Sequence, residues 1–198
     1  PGALHVTVAG RGVLHEEQPE RRGAVARGYQ IWIDHADADR EIAPYAKHLA
    51  ADDAPVVAGQ GATIRVMLGE SSGARAPVSA PTSVRLIDVA LVDGGQFEQR
   101  LLSEEAAFAM LLGGAVEVGG ETASAGEVAF FSPGEALRAK AVGGPARFTF
   151  FSGAPLRNSR VAGGPFVAST PAQLARFSND FRAGKFGSLA PMGPDFRL

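Results

Sequence analysis

The sequence predicts an all-β protein of short strands, and three observations carry that prediction. Segments of alternating apolar and polar residues are separated by turn signals at a spacing of roughly 8–12 residues, the texture of a β-sandwich or barrel. Glycine and proline are abundant, with 25 Gly and 13 Pro in 198 residues, well above ordinary usage. Helical periodicity is confined to one stretch near the end.

Taken in order, Leu4, Val6 and Val8 alternate with His5 and Thr7 and read as a strand. The chain opens on Pro1-Gly2, a turn feeding straight into that strand, with neither Met nor a signal sequence. The expectation is that further sequence lies upstream. Tyr29-Gln30-Ile31-Trp32-Ile33 is rich in β-formers and bounded by Gly28 and Asp34, again a strand. Residues 34–54 (DHADADREIAPYAKHLAADDA) are polar and irregular and read as a long connection. Residues 63–68 alternate and stop at Gly69; residues 69–81 form a Gly/Ser/Pro loop.

Residues 84–92 (VRLIDVALV) alternate well, with Val84, Leu86, Asp88, Ala90 and Val92 on one face and Arg85, Ile87, Val89 and Leu91 on the other. Asp93-Gly94-Gly95-Gln96 is a turn, and residues 97–101 are expected to pair back on 84–92. Residues 108–112 and 116–118 flank Gly113-Gly114, and residues 128–131 and 147–151 complete the strands. Near the end, Thr170 is a natural N-cap with Pro171 at the first helical position. Leu174, Phe177 and Phe181 share one face, and Gly184 is a stop signal.

Composition excludes several classes of function. Nineteen Lys and Arg against 21 Asp and Glu give a net charge of −2, no electrostatic basis for nucleic acid or an anionic membrane. There is no Cys, hence no disulfide, thiolate metal site or cysteine nucleophile. No apolar run reaches the ~18 residues of a membrane-spanning helix. Phosphate-loop spacing is absent around Gly59-Gln60-Gly61 and Gly163-Gly164-Pro165, and there is no G-x-S-x-G nucleophile elbow.

One constellation carries chemistry. His15-Glu16-Glu17 follows Ala9-Gly10-Arg11-Gly12-Val13-Leu14. On an extended segment residues i and i+2 share a face, so His15 and Glu17 point the same way and Glu16 the other. An imidazole and a carboxylate side by side are half of a divalent-metal site suited to non-haem Fe(II), Mn(II) or a related ion. A surface histidine among acids is the alternative. His5 reads as a solvent-side or internally satisfied strand residue, His35 as a solvated loop residue beside Asp34 and Asp37, and His48 as part of a connection. Arg11 is a turn residue or a pocket cation. Trp32, the single tryptophan, reads as core or pocket wall.

The stretch Gly10-Arg11-Gly12-Val13-Leu14-His15-Glu16-Glu17, followed by Gly28-Tyr29-Gln30-Ile31-Trp32-Ile33, resembles the pirin family of bicupin proteins. So do Val66-Met67-Leu68-Gly69-Glu70, Ala76-Pro77-Val78, Phe151-Ser152-Gly153-Ala154-Pro155-Leu156, Gly164-Pro165-Phe166-Val167-Ala168-Ser169-Thr170 and residues 180–187 (DFRAGKFG). The resemblance runs across nearly the whole chain, in order. It implies two cupin-type β-barrels, the first incomplete at its N-terminus, and a short C-terminal helix. Residues 1–55 would be the remainder of the N-terminal barrel plus a connection, and 56–198 the C-terminal barrel with its closing tail and helix.

The resemblance further implies one metal in the N-terminal barrel, Fe(II) first and another divalent ion next, held by three His and one Glu. His15 and Glu17 match two of those ligands. The other two come from an H-x-H motif that these 198 residues do not contain, so they are expected upstream of residue 1. The second barrel has the cupin-like turn in residues 126–138 (GEVAFFSPGEALR) but no His there, which implies an apolar, metal-free interior. Beside a bare two-barrel scaffold whose metal site is lost in this chain, two functions follow. One is a quercetin 2,3-dioxygenase-type oxygenase acting on a small aromatic substrate such as a flavonol, with Glu17 both ligand and catalytic proton acceptor. The other is a non-catalytic iron protein regulating through protein partners, as transcriptional co-regulator or enzyme modulator. Both imply a cytoplasmic location, without direct nucleic-acid or membrane binding.

Overall fold

A computed structural model describes residues 2–17, 25, 28–132 and 136–190. The turn read at Pro1-Gly2 and the segment 126–138 lie partly outside these residues. In chain order the strands begin with β1 (Leu4–Val8), β2 (Tyr45–Leu49), β3 (Val56–Gly59), β4 (Ala62–Leu68), β5 (Glu70–Ser71) and β6 (Ala74–Arg75). Next come β7 (Val84–Leu91), β8 (Gln96–Arg100), β9 (Ala106–Gly113), β10 (Ala115–Val118) and β11 (Glu121–Ser124). Last are β12 (Val128–Phe131), β13 (Ala136–Ala141), β14 (Ala146–Gly153), β15 (Val161–Gly163), β16 (Phe166–Ala168) and the helix α1 (Pro171–Arg182). The all-β class and the short C-terminal helix are as the sequence predicts.

The chain divides into two compact units. The larger comprises residues 2–6 and 47–155; the smaller comprises residues 7–46 and the chain from Leu156 onward.

In the larger unit one sheet runs β12-β9-β14-β7-β4-β3 and another runs β11-β10-β13-β8. Alternation explains the core that joins them. Ile87, Val89 and Leu91, on one of the two alternating faces of residues 84–92, are buried with Ile64 and Val66 of β4 and Phe148 and Phe150 of β14. Phe97 of β8 meets these edge-on, its ring 5.7 Å from Phe148 and 6.3 Å from Phe150. Leu137, Ala139 and Ala141 of β13 complete that side. A second cluster, Leu49, Met67, Leu68 and Leu86, packs with Leu4, Val6 and Val84.

The structure corrects three local expectations. Residues 97–101 do not pair back on 84–92: β7 already has a partner on each edge, β4 and β14, in registers such as Ile87↔Val66 and Ile87↔Phe150. With both ladders filled, β8 pairs instead with β13 in the other sheet. Residues 28–33 belong to none of the sheets, and Tyr29, Ile31 and Trp32 are exposed. Trp32 is thus neither core nor an enclosed wall, its exposure being 67%; β-prone composition makes a strand only where a partner strand completes the pair. Residues 34–54 are not a featureless connection but contain β2, which carries His48, and 3-10 turns at Asp37–Asp39 and Ala51–Asp53.

In the smaller unit β15 and β16 pair antiparallel and α1 packs on them. Thr170 caps the helix, its hydroxyl accepting the Gln173 amide N–H at 3.2 Å, while the Gln173 side chain accepts from the Ser169 N–H at 2.7 Å. Phe177 is buried, whereas Phe181 is half exposed in a trio with Phe166 and Phe186. Among the described residues no helix is long and apolar enough to cross a membrane.

Candidate metal centre

A tight turn sets up the His15–Glu17 segment. The Gly12 N–H donates to the Ala9 carbonyl at 2.9 Å, and the Arg11 N–H donates to the Ile42 carbonyl at 3.0 Å. Gly10 and Gly12 have φ of +50° and +123°, angles that disfavour any side chain. Space forbids one as well: a Cβ on Gly10 would lie 2.1 Å from the Ile42 carbonyl oxygen, and one on Gly12 would lie 2.3 Å from the Phe186 ring. The Gly-Arg-Gly signature is therefore a backbone requirement, and Arg11 between them is an exposed turn residue.

Residues 12–17 leave this turn without regular secondary structure, so the shared face of His15 and Glu17 does not come from a strand ladder. The two side chains nevertheless converge, His15 Nδ1 standing 4.0 Å from Glu17 Oε1, with exposures of 46% and 62%. Two donors on one ion lie about 3.0–3.4 Å apart, because each metal–donor bond is about 2.0–2.2 Å. A side-chain adjustment of less than an ångström, unhindered at exposed positions, brings the pair to that separation. His15 and Glu17 fit as two ligands of a larger set, not as a complete one. Among the described residues no group of three or more His, Cys, Asp or Glu is arranged so that it could hold a metal ion.

A polar network in the same unit escaped the sequence reading. Arg40, its side chain only 4% exposed, contacts Asp34 at 2.8 Å and Asp37 at 3.3 Å. Asp37 also accepts from the Ser169 hydroxyl at 2.5 Å and the Asn158 amide at 3.1 Å, and Asn158 donates to the His35 carbonyl at 3.2 Å. Glu41 accepts from Gln173 at 2.7 Å and pairs with Arg176 of α1. The Ser169 hydrogen bond, then those from Asn158 and Arg40, holds the Asp37 carboxyl below its ordinary value. Arg176 and then Gln173 do the same for Glu41. Burial pushes the His35 imidazole down, against the opposing pull of Asp34 and Asp39. These groups tie residues 34–41 to residues 158–176. The sequence signal was the close spacing of Asp34, Asp37 and Arg40, but their partners lie more than a hundred residues away.

In the larger unit the barrel interior is apolar, filled by Val66, Ile87, Val89, Phe97, Leu111, Leu137, Phe148 and Phe150. An open cleft beside its four-stranded sheet is lined by Glu98, Arg100, Phe131 and Arg138.

Comparison with known proteins agrees with this architecture. Residues 86–187 match the Pirin C-terminal cupin domain. Pirin-like protein 2 of Arabidopsis thaliana is 31% identical over 195 residues, covering 94% of this chain and 60% of the relative. A pirin-like protein of Caulobacter vibrioides is 31% identical over 189 residues, covering 94% of this chain and 68% of the relative. Among solved structures, a quercetin 2,3-dioxygenase from Acinetobacter baumannii superposes with a TM-score of 0.73 at 25% identity, over 80% of this chain and 56% of that one. The Geobacillus kaustophilus protein GK1651 gives 0.71 at 28% identity, over 80% and 66%. The chain thus spans less than two thirds of the Arabidopsis relative and of the Acinetobacter enzyme. From its matching domain and from relatives aligned along nearly its whole length, the chain belongs to the pirin family.

Proposed function

We propose that this chain is the larger part of a metal-binding bicupin in which His15 and Glu17 are two of the ligands of a mononuclear iron in the N-terminal barrel. Residues 1–55 are the remainder of that barrel plus a connection, and residues 56–198 the second barrel with its closing tail and helix. The convergence of an imidazole and a carboxylate just past the Gly10-Arg11-Gly12 turn is the observation that carries this reading. The remaining ligands are expected outside the 198 residues.

The activity is a quercetin 2,3-dioxygenase-type oxygenation of a flavonol, supported by the likeness to the Acinetobacter structure of that name. A metal held by His15 and Glu17 with further ligands would supply Lewis acidity toward a flavonol hydroxyl. Glu17 would accept the proton of a flavonol hydroxyl, general-base work suited to a carboxylate.

The test is aerobic quercetin consumption by the full-length, iron-loaded protein. Turnover above that of free iron supports the reading, with loss of it in Glu17→Ala; turnover no greater than free iron overturns it.

A second reading is a non-catalytic iron protein that regulates through a protein partner. It is favoured by an aromatic row across β12, β9 and β14. Phe130 is 80% exposed and 6.0 Å from Phe108, which stacks on Phe151 at 4.6 Å. Exposed apolar patches of this kind are common at protein interfaces. Failure of a pulldown to find a specific partner in either iron oxidation state counts against it.

A further inference from the structure

We propose that His5 and His48 form a second metal site, a two-histidine chelate across β1 and β2 for an imidazole-preferring divalent ion such as Ni2+, Cu2+ or Zn2+. The two rings belong to neighbouring strands and stand 6.1 Å apart between centroids, tilted by 45°. Side chains alternate along a strand. Leu4, Val6 and Leu49 pack into the second apolar cluster, which leaves both histidines on the opposite, exposed face. Lys47, next to His48, directs its ammonium away to the carbonyl and hydroxyl oxygens of Ser79, 3.3 Å from each.

The spacing suits a shared ion. A metal–nitrogen bond of about 2.0–2.1 Å places the centre of a bound imidazole about 3.2 Å from the metal. Two rings on one ion are then about 4.5 Å apart in a cis octahedral arrangement, about 5.2 Å in a tetrahedral one and about 6.4 Å in a linear one. The observed 6.1 Å lies inside this span, and small rotations of two exposed side chains cover all of it. The paired strands hold the second imidazole close once the first has bound, so the pair acts as a chelate. Water fills the open coordination positions. A metal here clips β1 to β2 and is independent of His15 and Glu17.

The test is a Ni2+ titration of the protein at about pH 7.5, read by paramagnetic broadening of the histidine ring signals. The His5 and His48 signals are expected to broaden together, and the midpoint for His48 to rise about 100-fold in His5→Ala. The same rise is expected for His5 in His48→Ala, and His15→Ala should leave the pair unchanged. His5→Gln, which keeps side-chain bulk on the strand, serves as a second variant and should behave as His5→Ala. An unchanged His48 midpoint in folded His5→Ala and His5→Gln would overturn the proposal, as would loss of the paired response in His15→Ala.

Discussion

Arg40 holds Asp34 through two of its guanidinium nitrogens, Nη1 at 2.8 Å from Oδ1 and Nη2 at 2.9 Å from Oδ2, in a fork-on-fork contact. With Arg40 buried and Asp34 17% exposed, removing the cation leaves a carboxylate in a poorly solvated place. Arg40→Met is expected to cost about 3 kcal/mol, measured by chemical denaturation. Arg40→Lys should fall between the two, since it keeps the charge and loses the fork. The Arg138–Glu98 pair, 73% and 56% exposed, is the control. Arg138→Met should cost less than about 1 kcal/mol.

Acid should loosen the same network in a defined window. Asp37 titrates below its ordinary 3.8 because Ser169, Asn158 and Arg40 donate to it. A carboxyl with a depressed folded-state pKa stabilises the fold above its unfolded value, and that contribution is lost as pH falls through the folded value. Melting temperature followed below pH 3.8 is expected to drop less steeply in Asp37→Asn than in the parent. Equal slopes would contradict the assignment. His35 acts higher on the scale: burial lowers it from 6.5, so the neutral form is the folded one. Stability is then lost as pH falls below 6.5, and His35→Gln should remove that component.

Gly12 is expected to tolerate no side chain. Its φ of +123° and the 2.3 Å approach that a Cβ would make to Phe186 are separate obstacles. Gly12→Ala should destabilise by about 1–3 kcal/mol. Adding Phe186→Ala should relieve the clash and leave the backbone strain, so the double variant is expected to show a non-additive, partial recovery in thermal unfolding.

What could be read from the sequence was local. Thr170, Pro171 and Gly184 mark α1 because caps and stops act within a turn of the residues that make them. Alternation sorts residues 84–92 into two faces, but that Ile87, Val89 and Leu91 join the larger core and Leu86 the second cluster depends on what packs against each face. The pairing of β8 is not legible locally, because strand order depends on which edges other strands have already taken, and β14, which fills one edge of β7, comes much later in the chain. Trp32 misled for a related reason, since its burial depends on what covers it and not on its own apolarity. At the candidate centre, Gly10, Gly12, His15 and Glu17 were legible as a motif. The tie from Asp37 to Asn158 and Ser169, 121 and 132 residues away, leaves no trace in local spacing. The nearness of His5 to His48 was hidden in the same way.

The most direct test of the central claim is the iron content of the full-length protein, compared between wild type, His15→Ala and Glu17→Ala. Near-stoichiometric iron is predicted for the wild type, with loss of it in both variants and no change in their unfolding in metal-free buffer. Full iron occupancy in either variant would contradict the assignment of His15 and Glu17 as ligands.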